Sequence, residues 1–223
     1  RLLKTHVTRQ YEVSETASGD TNVVLASKLP YTSTNNYEDT IKAQLVAEPR
    51  NGEYGHGIAY DAEIYAYGLN TGTPSGDADA DASKRQRLRA TALLQASESI
   101  HSDIMHLNFS ASDDISDEVL QAMAVTAAYN DFMTIAAGEQ NEQISNPKIF
   151  TELVDATNTL VFVGSIDKSN QLNSAQAGAA KDSFLVAPGE DLQVQMWENY
   201  FKNEPYVCGI LIALPLYCDN YVK

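Results

Sequence analysis

The chain has 223 residues, 43% of them hydrophobic, and carries 30 acidic against 15 basic residues, which gives a formal net charge of -15 at pH 7. That charge repels a phosphate backbone and argues against nucleic acid as a partner, while the length is enough for one domain with a sizeable core. The longest apolar stretch, residues 206–217, is too short to cross a bilayer and contains Pro215, so we expect no transmembrane segment.

The first third of the chain has weak structural signals. Residues 5–13 alternate weakly between apolar and polar side chains and are predicted to form an edge strand. Residues 14–36 are rich in Ser, Thr and Asn and predict a polar surface loop. Residues 58–67 follow a turn at Gly55 and Gly57 and are predicted to form a strand.

A long helix is predicted for residues 83–100, which are rich in Ala, Leu, Arg and Gln. Acidic residues at every second position mark its start: Asp77, Asp79 and Asp81. The same spacing opens a calcium-binding loop, but that loop also needs Gly and Glu at positions where this chain has Ala82 and Leu88. Because carboxylates also favour a helix N-terminus, a solvated acidic start of the helix is the preferred interpretation.

Four short runs are apolar throughout rather than alternating: residues 103–109, 132–137, 160–166 and 184–187. Strands that are buried on both faces have such sequences. Between the first two runs, Ser116 is placed to cap a second helix. The order of strands and helices predicts an α/β fold, with a doubly wound parallel sheet and helices on both faces. The whole chain, residues 1–223, is expected to form a single domain.

The loops after three of these strands are the predicted location of a site, because ligands of such sheets bind beyond the carboxyl ends of the strands. These loops follow Phe109, Ala137 and Ala187. The last of them begins with the turn Pro188-Gly189 and then becomes acidic.

Four segments carry a resemblance to a known family. They are GHGIAYDAEIYAY at residues 55–67, DIMHLNFSAS at 103–112, MTIAAGEQNEQISNP at 133–147 and VFVGSIDKSNQLNSAQAGAAKDSFLVAPGEDL at 161–192. In this order and at similar spacing, they resemble the subtilisin-like serine peptidases, in particular the type found in bacterial autotransporters. The last segment, which ends in the family's Ala-Pro-Gly, is the most specific.

The resemblance implies a Ser-His-Asp triad, in which a carboxylate orients an imidazole that takes the serine proton. This chain departs from the pattern at each catalytic position. Residues 38–41 are Glu-Asp-Thr-Ile where the family has His-Gly-Thr-His, and the position of the nucleophile falls at about Phe201. The strand that carries the Asp has no counterpart, so the chain is expected to lack the family's first strand. No catalytic residue is therefore matched.

The resemblance also places an oxyanion-binding Asn and a substrate cleft. Glu139 stands where the Asn should follow Gly138, and Asn141 could replace it only if the loop had shifted by two residues. The cleft would be bordered by residues of two strands: Asn108, Ser110, Ala111 and Ser112, and Ala136, Ala137 and Gly138. The implied ligand is an extended peptide or protein segment, and the implied location is exported or at the bacterial cell surface. No cofactor is expected; calcium is common in the family, but its ligands cannot be mapped here.

The four histidines have structural interpretations. His56 lies in the turn before a strand rather than at the triad position, and His106 lies in an apolar strand, where we expect a hydrogen-bonded core or rim residue. His6 and His101 are predicted at the surface.

Serine and cysteine offer no clear nucleophile. Ser174 and Ser183 have no histidine close in sequence and are interpreted as loop or strand-start residues. Cys208 and Cys218 lie at the last apolar segment and are interpreted as small core residues rather than a disulfide.

Three hypotheses follow for the function. The first is a subtilisin-like domain that is catalytically incompetent and binds peptides through the retained cleft. The second is an active serine endopeptidase whose catalytic segments are missing from this chain or altered in it. The third is a structural domain of a larger exported protein. A carboxylate beside the expected oxyanion hole and Phe201 at the nucleophile position favour the first.

Overall fold

The computed structural model describes residues 9–26, 46–47, 57–111, 113–129, 131–140, 142–144, 147–149, 152–153 and 158–189. Seven strands lie in these ranges: β1 (Arg9–Glu15), β2 (Thr21–Leu25), β3 (Tyr65–Asn70), β4 (Ile104–Ser110), β5 (Phe132–Ala136), β6 (Leu160–Ile166) and β7 (Phe184–Pro188). The long helices are α1 (Ala78–Gln95) and α2 (Asp117–Ala128). Shorter elements are a π-helical turn (Ala96–Ile100), a helical turn (Pro147–Ile149) and a 3-10 helix (Gly178–Ser183).

Strands β4 to β7 form a parallel sheet in the order β4-β5-β6-β7. The predicted α/β class with a parallel sheet is therefore confirmed. The bounds of β6 are as predicted, and the bounds of the other three strands differ from the prediction by one residue at one or both ends. Continuous apolar runs identified these strands well because both faces of a parallel strand are usually covered.

The remaining strands form a second sheet in the order β2-β1-β3, and here the predictions need correction. Strand β1 is the central strand, antiparallel to β2 and parallel to β3, and not an edge strand. The predicted loop at residues 14–36 contains the strand β2, because Val23, Val24 and Leu25 follow a tight turn at Gly19 and favour a hairpin.

The predicted strand at residues 58–67 starts later than expected. Ile58 is 95% exposed, and the N–H of Ala62 donates to the carbonyl of Ala59 at 2.9 Å, which closes a turn. Strand β3 begins only at Tyr65. Two residues later, the ring of Tyr67 stacks on that of Tyr11 in β1, with 4.9 Å between the ring centroids. The cross-strand aromatic pair, rather than the apolar run, sets the position of the strand.

Helix α1 begins before the predicted residue 83, and its acidic start is confirmed as a cap. The Asp77 carboxylate accepts the backbone N–H groups of Asp79 and Ala80, and Asp81 accepts the N–H of Ser75. This bond to Ser75 holds the pKa of Asp81 below its ordinary value. Two of the three carboxylates therefore bind backbone donors at the start of the helix.

A single core cluster joins the parallel sheet to both helices. Strands β4, β5 and β6 contribute alternate buried residues: Met105, Leu107, Met133, Ile135, Leu160 and Phe162. Helix α2 contributes Val119, Leu120 and Met123, with its start capped by the predicted Ser116. Helix α1 also contacts the second sheet, where Val13 is fully buried and Glu15 is bonded to Arg87. Among the described residues, no helix is long and apolar enough to cross a membrane.

Candidate functional site

The carboxyl ends of β4, β5 and β6 meet at one edge of the parallel sheet. Ser110 of β4 is paired with Ala136 of β5 after an irregularity in the register. Hydrogen bonds between neighbouring segments continue just beyond the strands. The N–H of Ala111 donates to the carbonyl of Ala136 at 2.8 Å, and the N–H of Ala137 donates to the carbonyl of Val163 at 3.0 Å. The loops after β4 and β5 therefore leave the sheet side by side, as the sequence predicted.

The residues predicted to border a cleft differ in exposure. Asn108 is exposed, and Ser110 and Ala136 are half-buried. Ala111 and Ala137 are 1% and 0% exposed, so neither residue offers a ligand accessible surface at this edge. Ser112 and the tentative oxyanion residue Asn141 lie outside the described residues. The role of all these positions in binding stays a prediction.

In the loop after β5, a backbone N–H group donates a hydrogen bond to a glutamate side chain of the same loop. Gly138 has φ of 122°, and the next residue, Glu139, donates its N–H to the Glu142 carboxylate at 3.2 Å. An oxyanion hole needs donors that point at developing negative charge. Here a donor beside the expected position is bonded within its own loop, and two exposed carboxylates lie next to it.

A second segment fixes this loop in place. The N–H of Ala175 donates to the carbonyl of Gly138 at 3.1 Å, and the N–H of Gln176 to the carbonyl of Glu142 at 2.9 Å. Ile144 is buried beneath the same connection and donates its N–H to Gln176. The loop after β5 is thus held at three points by residues that follow β6.

The serines near this edge have backbone partners. The hydroxyl of Ser165 donates to the carbonyl of Asn173 at 2.8 Å, and that of Ser174 to the carbonyl of Ala175 at 3.3 Å. Ser174 also accepts the N–H of Ser165, and both residues are buried. Ser183 is half-buried directly before β7. Ser174 and Ser183 therefore have the loop and strand-start positions that were expected.

The described histidines contact Thr134 and Tyr129. His106 Nδ1 is 3.1 Å from Thr134 Oγ1 on the neighbouring strand, which confirms a hydrogen-bonded strand histidine. His101 ends the π-helical turn with φ of 53°, and its ring is tilted against Tyr129. His6 and His56, like Phe201, Cys208 and Cys218, lie outside the described residues.

Sequence reasoning missed a bonded acid in the loop after β4. The Asp113 carboxylate accepts the N–H of Ser110 at 3.3 Å and lies 3.9 Å from the Arg89 guanidinium. That guanidinium also stacks over the Phe109 ring, 4.8 Å from its centroid, and burial lowers its pKa. An Asp three residues after a strand end is typical of such a turn and could have been recognised, but Arg89 lies too far away in sequence for the ion pair to be predicted.

An α/β domain with this parallel sheet and this edge has the architecture of the subtilisin-like proteases, and the comparisons confirm that fold. A protease from Pseudoalteromonas arctica aligns with a TM-score of 0.55 and 18% identity, over 85% of this chain and 59% of its own. Sphericase aligns with a TM-score of 0.53 and 16% identity, over 84% of this chain and 61% of its own. The S41 psychrophilic protease aligns with a TM-score of 0.52 and 17% identity, over 84% and 61%.

These likenesses show the fold alone. The chain spans about three fifths of the length of the three solved structures. No protein-family model matches it, and no curated protein is similar to it. The more specific resemblance to autotransporter peptidases rests on the four sequence segments.

Proposed function

We propose that this chain is a subtilisin-like domain that binds an extended peptide at the carboxyl edge of its parallel sheet without hydrolysing it. The observation that carries the proposal is the bond between the N–H of Glu139 and the Glu142 carboxylate. By the resemblance, an oxyanion-binding asparagine would stand at residue 139, and this residue and its bonding partner are both carboxylates, which would repel developing negative charge.

The geometry of the edge supports the binding half of the proposal. Among the described strands, β4 lies at one end of the parallel sheet, and small residues follow both β4 and β5. An extended peptide lying next to residues 108–112 would meet this edge beside Ala136. An exported or cell-surface location belongs to the same proposal.

A second candidate is an active serine endopeptidase. Two of the three solved structures are named as proteases, and this chain spans only about three fifths of their length. In that case the triad would be supplied by residues outside the described ranges or by a further segment of the protein.

Covalent labelling separates the two candidates. A fluorophosphonate probe reacts with a serine only when a base activates it. We expect the full chain to show no more labelling than a heat-denatured sample. Stoichiometric labelling that disappears on boiling would establish the endopeptidase instead.

Peptide binding is tested with a matched pair of variants. We expect saturable binding of extended peptides by the full chain, measured by fluorescence anisotropy, and its loss in Ala136→Trp. Val24→Trp places the same ring on the second sheet and should bind normally, since Val24 is already 43% exposed there. Equal affinity of all three chains would contradict a site at the carboxyl edge.

A further inference from the structure

A carboxylate is buried at the amino edge of the parallel sheet, which is the edge opposite the candidate functional site. Asp131 is 4% exposed and directly precedes β5. Its carboxylate accepts the Ser97 hydroxyl at 2.6 Å, and no basic side chain pairs with it in the part of the chain that the structure describes. A buried carboxylate without a positive partner is costly, because it has lost its hydration.

Two hydroxyl groups at the same edge have no hydrogen-bond partner among the described residues. Thr126 lies in the last turn of α2 and is fully buried, and its Oγ1 atom is enclosed and unbonded. The Oγ atom of Ser102, in the connection that leads to β4, is also enclosed and unbonded. Buried hydroxyls normally have partners, so each of these two calls for a partner of another kind, such as an ion.

The fold brings these groups to one end of the sheet through two connections. Helix α1 and its π-helical turn lead into β4, and α2 leads into β5, so both helices end at the amino edge of these two parallel strands. The bond between Ser97 and Asp131 joins the two connections, and so does the bond from the N–H of Phe132 to the carbonyl of Asp103 at 3.1 Å. We call the following four the amino-edge residues: Ser97, Ser102, Thr126 and Asp131.

The electrostatic surroundings of the amino-edge residues favour a cation. The C-terminal end of a helix carries partial negative charge, which a basic residue in the last turn can balance. The last turns of α1, of the π-helical turn and of α2 contain no basic residue. His101 follows the π-helical turn, but its side chain is exposed and its ring is tilted against Tyr129. Two helix ends and one buried carboxylate therefore place negative charge at this edge without a buried basic side chain among the described residues.

We propose that the amino-edge residues bind an alkali-metal cation, Na⁺ or K⁺, where the two helices end. The Asp131 carboxylate supplies the negative charge, and the hydroxyl oxygens of Ser102 and Thr126 supply neutral ligands. A divalent cation is a poorer occupant, because calcium sites combine more oxygen ligands and more carboxylates. No group of three acidic, His or Cys side chains that could hold a metal occurs among the described residues.

Thermal unfolding of the full chain tests this site independently of peptide binding. A ligand that binds only the folded chain raises the midpoint of unfolding, and the rise grows with the ligand concentration. Ionic strength is held constant at about 0.2 M, so that general screening is the same in every salt. We expect the midpoint in NaCl, in KCl or in both to be about 3 °C higher than in choline chloride, whose cation is too large for a buried site.

Two variants of nearly unchanged size show whether the amino-edge residues hold the cation. Asp131→Asn removes the charge and Thr126→Val removes the hydroxyl oxygen, and we expect each to lose most of the difference between the salts. Glu98→Gln is the matched control, because it removes one charge at an exposed position of the π-helical turn and should keep the full difference. Circular dichroism checks that each variant is folded, and Thr126→Val carries the test if Asp131→Asn unfolds.

Three results would overturn the proposal. The first is an equal midpoint in NaCl, KCl and choline chloride. The second is a difference between the salts that the folded variants of Asp131 and Thr126 retain. The third is a difference that Glu98→Gln abolishes as well, which would identify a general effect of salt on the charge of the chain.

Discussion

At the scale of single residues, the loop after β5 decides what chemistry the carboxyl edge can support. The N–H of Glu139 donates to the Glu142 carboxylate at 3.2 Å, and under the proposed function these two acids disfavour an oxyanion beside the loop. A loop with asparagine after Gly138 would present an amide donor at the same place. The proposed loss of catalysis thus includes this loop as well as the positions of the triad.

One buried polar contact should matter more for stability than any described surface ion pair. The Ser97 hydroxyl donates to the Asp131 carboxylate at 2.6 Å, and both residues are buried, so the π-helical turn after α1 is tied to the residue that precedes β5. Ser97→Ala leaves a buried carboxylate without this donor, and we expect it to lower the free energy of unfolding by about 1–3 kcal/mol. Urea denaturation measures the change.

Ser99→Ala serves as the control for Ser97→Ala. It makes the same substitution two residues further on, at an exposed position of the same turn. We expect a change within about 0.5 kcal/mol. Equal effects of the two variants would show that the bond to Asp131 contributes nothing.

Sequence could predict the residue-scale features that act locally. Asp77 and Ser116 were identified as helix-start residues because a cap is defined by its distance along the chain from the first turn. The pair Ser97 and Asp131 could not be predicted, since the two residues are 34 positions apart and only the fold brings them together. The same holds for Arg89 and Asp113 at the candidate site.

At the scale of elements, the parallel strands were predictable and the second sheet was not. Parallel strands usually carry mainly apolar runs, which identified β4 to β7, although alternate residues of β4 are exposed in the described structure. Strand β2 is largely exposed, so its sequence is indistinguishable from a polar loop except for three apolar residues at its end. Register within that sheet depends on partners far away in sequence, such as Tyr11 and Tyr67, and no local pattern encodes it.

The start of α1 provides a test of helix capping. The Asp77 carboxylate accepts two backbone N–H groups, so we expect Asp77→Ala to destabilise the chain by about 1 kcal/mol in thermal or urea unfolding. Asp79→Ala removes the same charge from the first turn without removing the cap and should cost less. A larger cost for Asp79→Ala would contradict the assignment of Asp77 as the cap.

The contact between α1 and β1 provides a test of pH dependence. The hydrogen bond from Arg87 holds the pKa of the Glu15 carboxyl below its ordinary value of 4.5. A carboxyl whose pKa is lower in the folded chain stabilises the fold above the unfolded value, and this stabilisation is lost as pH falls through the folded pKa. We expect Glu15→Gln to unfold more easily at pH 7 and to lose less stability below pH 4.5.

Denaturation curves at pH 7 and pH 3 measure this difference. Glu118→Gln removes the same charge from the exposed first turn of α2, where it loses only the interaction with the helix terminus, and should change the pH dependence less than Glu15→Gln. If Glu15→Gln and the unchanged chain lost the same stability on acidification, the ion pair with Arg87 would have no role in the pH response.

At the scale of the whole molecule, the fold and the function separate. The subtilisin-like fold is shared with proteases at 16–18% identity, which means that the architecture persists where most side chains differ. A scaffold of this kind brings strand ends together whether or not a triad is present, and function depends on the residues at that edge. The order of four sequence segments was enough to predict the fold, whereas the roles of residues in the cleft require a ligand to establish.

Native mass spectrometry of the full chain with a mixture of extended peptides tests the central claim most directly, because a single spectrum reports both binding and cleavage. We predict one-to-one complexes whose mass equals that of the chain plus an intact peptide. Shortened peptides, or an acyl fragment attached covalently to the chain, would contradict the account by showing that the edge performs hydrolysis. A spectrum without any complex would contradict it by showing that no peptide binds.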